Sequence, residues 1–322
     1  MLYLYLKKMN KCLYCYKPLE GETDFHEKCS LEFFRSKHIP ELPYSINQMT
    51  DLAKNVVERS VSVPGVQAKL SMSLIRETQN TSDTRLTVVG ALGGGYIFKP
   101  PSEDYPEMPQ NEHLTMRIAE AYGIRVVPSS LIRLASGELS YITRRVDRKV
   151  DGEKIHMIDM FQITEAFDKY KSSLEKVGKA LSSYSDNPLL DLLFFFELTL
   201  FSFLSGNNDM HLKNYSMIEA APGWILSPAY DLLNVTIINP KDDEEIALTL
   251  QGKKKKIKRE HFEKFGEGLG LTPKQISGVF NRFNKNKAKA VNWINNSFLS
   301  HEMKELYSQL LEERYARIFG DF

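Results

Sequence analysis

Cysteine is scarce in this chain of 322 residues: there are three, all between positions 12 and 29. So few, so close together, exclude the disulfide framework of a small secreted domain. An excess of one charge sign is also missing, because 42 basic residues stand against 41 acidic ones. Such a balance argues against free-standing nucleic-acid binding, which rests on neutralising phosphates with a basic surface. No G-x4-G-K-[ST] phosphate loop occurs. Long apolar runs are limited to residues 189–204, and that run holds Asp191 and Glu197. Charge at helix depth is costly in lipid, so the run reads as a helix buried at the centre of a lobe, and no membrane contact is expected. The opening residues 1–6 are apolar, but basic residues follow them and no small-residue cleavage site appears. No secretory leader is expected, Met9 is as good a start as Met1, and the expected compartment is cytoplasmic.

What remains is ordinary in bulk and specific in order. Apolar residues make up 42% and charged ones 26%, as in a globular chain long enough for two cores. A helix is expected over 48–59, then a Ser/Gly turn feeding a strand that ends near 74. Strands follow over 86–91 and 96–99, the latter closed by Pro100-Pro101. A helix over 111–122 stops at Gly123, and a hairpin of 126–135 and 138–145 turns at Ser136-Gly137. Beyond residue 155 the period becomes helical, over 157–166, 172–182 and 188–206. A hairpin over 214–226 and a short strand over 246–250 interrupt it. Further helices are expected over 261–268, 272–287, 291–297 and 301–318. The class is α+β, with a β-rich lobe over 1–148 and a helical lobe over 149–322.

Four patterns carry chemistry. Cys12-x2-Cys15 with His26-x2-Cys29 is either a tetrahedral zinc knuckle of structural type or three reduced thiols and a surface histidine. The turn containing Ser60, Ser62 and Gly65 can present backbone N–H groups to phosphate, although one glycine is a weak signal. Lys99 ends a strand, where it is either solvated or turned inward toward nucleotide phosphates. Glu112, on the first turn of the next helix, is either its partner or a plain helix-start residue. The strongest pattern is Asp209 with Asn214 five positions on and Asp231 seventeen beyond that, following the apolar run. Such spacing turns a carboxylate and an amide toward one point and lets a second carboxylate arrive on the next strand. Asp209 and Asn214 alone read as a polar loop after a buried helix; with Asp231 and the upstream Lys99 strand the set matches the polar core of a kinase-like phosphoryl-transfer site. Lys253–Lys256 with Lys258 and Arg259 is the only dense basic cluster, read as a solvated turn or, alternatively, as a contact for an acidic partner or a nucleic-acid backbone.

In series, these motifs resemble the HipA-like serine/threonine kinases, toxins of bacterial toxin–antitoxin systems, and most closely their shorter HipT branch. The motifs are Ser62-x-x-Gly65-x-Gln67-x-Lys69, Phe98-Lys99-Pro100, Asn111-Glu112, Asp209-x-His211-x-Lys213-Asn214-x-Ser216 and Tyr230-Asp231. The resemblance implies a two-lobed, protein-kinase-like fold using ATP and Mg²⁺. It makes Asp209 the catalytic base, with His211 and Lys213 lining its loop and Asn214 and Asp231 as Mg²⁺ ligands. Lys99 would contact the α/β-phosphates, with Ser62 and Gly65 in the loop over the nucleotide. Arg144 and Val146 would meet adenine through their backbones, and Asp147 the ribose. Ser62 aligns with the serine that family members autophosphorylate, and Ser60 completes the Ser-x-Ser of the HipT branch. Too little strand pattern precedes the loop for the extra subdomain of longer HipA members. HipS-like and HipB-like antitoxin proteins are therefore the implied partners, with DNA reached only through them. The implied substrate is an aminoacyl-tRNA synthetase. A kinase-fold binding protein without transfer activity and a small-molecule kinase are the competing readings.

Overall fold

The computed structural model describes residues 10–49, 51–52, 69–76, 84–89, 93–102, 104–105, 107–149, 151–221 and 223–320. Ser60, Ser62, Gly65 and most of the helix expected over 48–59 lie outside these residues. The chain divides into two compact units, one of residues 1–110 and 128–144, the other of residues 111–127 and 145–322.

The first unit pairs a Cys/His-containing segment and helix α1 (Glu27–Phe34) with a five-stranded antiparallel sheet. Its strands are β1 (Leu70–Arg76), β2 (Thr84–Val89), β3 (Tyr96–Lys99), β4 (Ser129–Arg133) and β5 (Leu139–Arg144), in the order β2-β1-β3-β5-β4. β3 lies third, paired to β1 with Leu70 opposite Phe98 and to β5 with Lys99 opposite Tyr141. Phe98 and Met72 are wholly buried. The Cys/His segment is fastened to this sheet. The Leu131 N–H donates to the Leu13 carbonyl at 3.4 Å, Asp24 pairs with Arg133 at 3.0 Å, and the rings of Phe33 and Phe34 lie 5.9 and 6.2 Å from Tyr96.

The second unit is built around one helix. α2 (Met108–Ala121) contributes its residues from 111 on. After it come β6 (Met157–Asp159), α3 (Met160–Ile163), α4 (Leu174–Tyr184) and α5 (Pro188–Leu204). Then follow β7 (Ser216–Ala220), β8 (Gly223–Leu226), α6 (Val235–Ile238), α7 (Arg259–Gly268), α8 (Pro273–Asn296) and α9 (His301–Phe319). β6, β7 and β8 form a three-stranded antiparallel sheet. α5 starts with Pro188 in its first turn, where the missing N–H costs nothing. From Phe195 to Leu204 it is buried on every side, although Leu189 and Leu190 in its first turn are exposed. Phe195 meets Tyr215 at 5.2 Å, Phe196 meets Phe280 at 6.1 Å, Phe201 meets Tyr122 at 5.7 Å and Phe203 meets Phe262 at 5.5 Å. Each such ring contributes about 1.5–3 kcal/mol by leaving water.

The two carboxylates of α5 are buried and paired. Asp191 accepts from the Ser185 hydroxyl at 2.6 Å and the Leu226 N–H at 2.7 Å, and Arg125 lies 3.5 Å away. Glu197 pairs with Arg282 at 2.6 Å. Among the described residues no helix is long and apolar enough to cross a membrane. Half of the basic cluster is paired locally: Lys254 with Glu244 at 2.9 Å, Lys255 with Asp243, and Arg259 with Glu263 at 2.8 Å, while Lys253, Lys256 and Lys258 are exposed.

Three elements differ from the sequence reading. Residues 157–159 are a strand rather than the start of a helix, because they pair with β7 from Met157–Ile218 to Asp159–Ser216. Asp159 then caps the single turn of α3. Residues 246–250 form no strand, only isolated bridges at Thr249 and Leu250. The helices expected over 272–287 and 291–297 are one helix, α8, since no Pro or Gly separates them. Replacing Asp191 by Ala is expected to lower unfolding free energy by about 1–3 kcal/mol, because the buried Leu226 N–H loses its acceptor. Asp243→Ala, on an exposed pair, is expected to leave the urea midpoint unchanged.

Candidate functional site

The loop after α5 owes its path to how that helix ends. Gly206 is left-handed at φ +72°. Its N–H donates to the Phe203 carbonyl at 3.2 Å, and the Asn207 N–H reaches back to Ser202 at 2.8 Å. This is the paired closure of a Schellman motif, which needs a residue tolerant of positive φ. A Cβ on Gly206 would lie 2.3 Å from Leu310 Cδ2 and 2.6 Å from Asn234 Oδ1.

Asn207, wholly buried, then works in two directions. Its Oδ1 accepts the Asp209 N–H at 3.3 Å, and its Nδ2 donates to the Asp231 carbonyl at 3.4 Å. Asp231 is itself left-handed at φ +55°, a conformation rare outside glycine but best tolerated by Asp and Asn. One amide thus ties together the two acidic positions that the sequence spaced 22 apart. Asn214 adds a third tie: its Nδ2 donates to the Asp209 carbonyl at 2.9 Å. Asp209, Asn214 and Asp231 are therefore brought to one place.

Below them, a second amide pair anchors the segment after Asp231. Asn111 donates to the Asn234 carbonyl at 3.0 Å and accepts the Asn234 N–H at 2.8 Å. Asn234 also caps α6 through Ile237. Tyr230 supports the loop from the side, its hydroxyl meeting Ser216 and donating to the Lys213 carbonyl at 3.0 Å.

The Asp209 carboxylate has one close donor that the sequence reading missed. The Tyr170 hydroxyl donates to its Oδ1 at 2.7 Å, and the Tyr170 ring stands edge-on to His211 at 5.1 Å. Burial and the adjoining Asp209 carboxylate both push the Tyr170 phenol above its ordinary value, so it remains a donor. His211 is buried, and burial holds its imidazole below the ordinary value. The charges of Asp209 and Asp231 pull in the opposite direction, so this ring feels both carboxylates. Lys213 sets its ammonium 4.9 Å from the Phe161 ring.

The remaining candidates divide between the units. Lys99, in the first, is buried, with its ammonium 5.2 Å from the centre of the Tyr141 ring. Arg144 ends β5, and its N–H is taken by the Pro128 carbonyl at 3.0 Å. Val146 and Asp147 open the second unit. Asp147 is clamped by Arg145 at 2.9 and 2.7 Å and by Arg148 at 2.5 Å. Burial alone would raise its carboxyl, but the two guanidinium groups outweigh burial and hold it below its ordinary value. Glu112, in the second unit, is buried. The four Cys/His side chains of the first unit converge, with donor atoms all within 4.8 Å of one another.

An oxygen-rich set such as this suits a hard divalent cation. The Asn214 amide nitrogen is already committed to Asp209, which leaves its oxygen as the donor atom. Asp231, whose backbone is tied to the same loop by Asn207, offers a carboxylate, and an amide oxygen with a carboxylate is a donor set that fits Mg²⁺.

Residues 61–291 match the family described as the HipA-like C-terminal domain. A relative named as a putative kinase from Haemophilus influenzae is 28% identical over 248 residues, covering 71% of this chain and 69% of its own. The serine/threonine-protein kinase toxin HipA of Shewanella oneidensis is 25% identical over 233 residues, and the chain spans about half (52%) of its length. A solved complex of HipA, HipB and operator DNA from Shewanella oneidensis matches with a TM-score of 0.68 at 21% identity, over 88% of this chain and 74% of that one. This last likeness is one of fold: mixed α and β, two-lobed and protein-kinase-like.

Gly206→Ala is expected to destabilise the protein by about 2 kcal/mol or more, combining left-handed strain with overpacking against Leu310 and Asn234. Urea unfolding monitored by far-UV dichroism reads this directly.

Proposed function

The chain belongs to the HipA-like C-terminal domain family, and we propose that it is an ATP- and Mg²⁺-dependent protein serine/threonine kinase. The observation that carries this reading is the double hold of Asn207 on Asp209 and Asp231, with Asn214 tied to the same point. Three residues so fixed supply a base and two cation ligands with little left to reorganise, as positional catalysis of phosphoryl transfer requires.

Asp209 is the base. Its Oδ1 already accepts from a phenol hydroxyl, and an acceptor serine hydroxyl would present its proton to the same oxygen. Asn214 and Asp231 hold the cation through a side-chain oxygen and a carboxylate. Bound Mg²⁺ neutralises charge on the nucleotide phosphates. Lys99 is assigned to the α/β-phosphates; Ser62 and Gly65 belong to the loop over them. Arg144 and Val146 are assigned to adenine through their backbones; the Arg144 N–H is already bonded to Pro128, and its carbonyl accepts the Thr143 hydroxyl at 3.4 Å with one lone pair. Asp147 is assigned to ribose, with Arg145 and Arg148 fixing its carboxylate. His211 and Lys213 shape the loop.

The finer reading follows the resemblance. The protein acts in the cytoplasm as the toxin of a HipT-type system, restrained by HipS-like and HipB-like partners. It phosphorylates an aminoacyl-tRNA synthetase, and itself at Ser60 or Ser62. Phosphate on that loop adds about −1.5 to −2 charge and repels the nucleotide's own phosphates. The phosphorylated form is expected to bind ATP more weakly than the Ser60→Ala, Ser62→Ala form; equal affinities in a titration would remove that mechanism.

Asp209→Asn is expected to keep Mg·ATP binding close to wild type while transfer falls by about 10²–10⁴-fold, the range typical of losing a general base. Asp231→Asn is expected to weaken Mg·ATP binding itself. Calorimetric titration beside a transfer assay separates the two. The same deficit in both measurements for both variants would contradict the division of roles.

A further inference from the structure

Cys12, Cys15, His26 and Cys29 take no part in the proposed phosphoryl transfer, yet their donor atoms all lie within 4.8 Å of one another. Two turns bring them together. In the first, the Tyr16 N–H returns to the Cys12 carbonyl and the Cys12 N–H to the Lys17 carbonyl, both at 2.9 Å. Tyr16 is left-handed at φ +62°. That turn points two thiols three residues apart the same way. In the second, His26 stands immediately before α1, and the Cys29 N–H donates to its carbonyl at 2.9 Å. This sets thiol and imidazole side by side.

The histidine fixes the chemistry. Its Nε2 lies 3.0 Å from the Pro18 carbonyl, which can only accept, so Nε2 carries the proton. In the neutral ring the Nδ1 lone pair then faces Cys15 Sγ at 3.4 Å and Cys29 Sγ at 3.8 Å. A ring nitrogen held by a backbone carbonyl while the other faces a ligand cluster is the outer-shell arrangement of metal-bound histidine. A tetrahedron with sulfur at about 2.3 Å and nitrogen at about 2.0–2.1 Å from zinc has sulfur–nitrogen edges of about 3.6 Å. The two observed edges bracket that value. All four donor atoms lie within 4.8 Å of one another, and the three cysteines are free thiols.

We propose that Cys12, Cys15, His26 and Cys29 form a closed, structural zinc site that pins the N-terminal segment to the sheet. Binding converts three thiols to thiolates, releases their protons and takes the imidazole neutral, so the site carries one net negative charge with Zn²⁺. Four protein ligands leave no open position, which makes the role structural. What the ion stabilises is visible in the contacts of the segment: Leu13 on β4, Asp24 on Arg133, and Phe33 and Phe34 against Tyr96 of the strand that ends in Lys99. A stretch this short has little core of its own, and metal binding replaces it.

The test uses the full chain, purified without chelator or metal-affinity resin. Elemental analysis is expected to give one zinc per chain, released in step with mercurial titration of the three thiols. Exchange with Co²⁺ is expected to give the intense visible bands of a tetrahedral thiolate site. His26→Cys should keep the metal and shift those bands, and Cys29→Ser should lose stoichiometric metal. If Cys29→Ser is insoluble, the wild-type cobalt spectrum decides independently of it. No bound zinc, thiols equally reactive with and without added Zn²⁺, or only the weak bands of octahedral Co²⁺ would overturn the proposal.

Discussion

The second unit depends on one buried amide. Asn207 holds the Asp209 backbone with its oxygen and the Asp231 backbone with its nitrogen, and neither carboxylate spends an oxygen on the tie. A buried amide with both ends bonded is strongly position-specific, because losing either partner strands a polar group away from water. Its geometry demands that the chain leave α5 at one angle, which the left-handed Gly206 sets, and return at another, which the left-handed Asp231 sets. Strained backbone at such a point is held by its surroundings, here by Asn207 from above and the Asn111–Asn234 pair from below.

Rigidity of that kind needs a rigid support. α5 supplies it through its C-terminal half, Phe195–Leu204, which is buried throughout and packed by aromatic rings. Its two carboxylates are not exceptions to burial but links: Asp191 joins it to Ser185 and β8, and Glu197 joins it to α8. Removing one partner of such a link costs more than the link contributes, so the helix is fixed in rotation as well as position. The loop with Asp209 inherits that fixed orientation.

Much of this was legible in the sequence. The Asp209, Asn214 and Asp231 spacing named the residues that meet, and the apolar run with its Gly stop named the helix that presents them. Cys12, Cys15, His26 and Cys29 were legible as a set by spacing alone. Less legible was anything that depends on a partner distant in sequence. Tyr170 sits in a stretch between two helices with no pattern, and only folding brings its hydroxyl to Asp209. Asn207 stood in plain view beside Asp209, but a double amide bond has no periodicity to betray it. Residues 157–159 read as helix because three residues are too few to show alternation; β7 makes them a strand. Conversely, residues 246–250 alternate like a strand but find no ladder, and Glu245 beside them is engaged by Arg314 and Arg317.

The fixed groups of the second unit are proposed to move a phosphoryl group onto a hydroxyl. Incubating the purified wild-type chain with Mg²⁺ and γ-labelled ATP, then mapping label by mass spectrometry, tests this. Label is expected on a serine of the chain, dependent on Mg²⁺ and abolished by chelation. A chain that binds Mg·ATP yet transfers no label to itself or to any protein of its host's cytoplasm would contradict it.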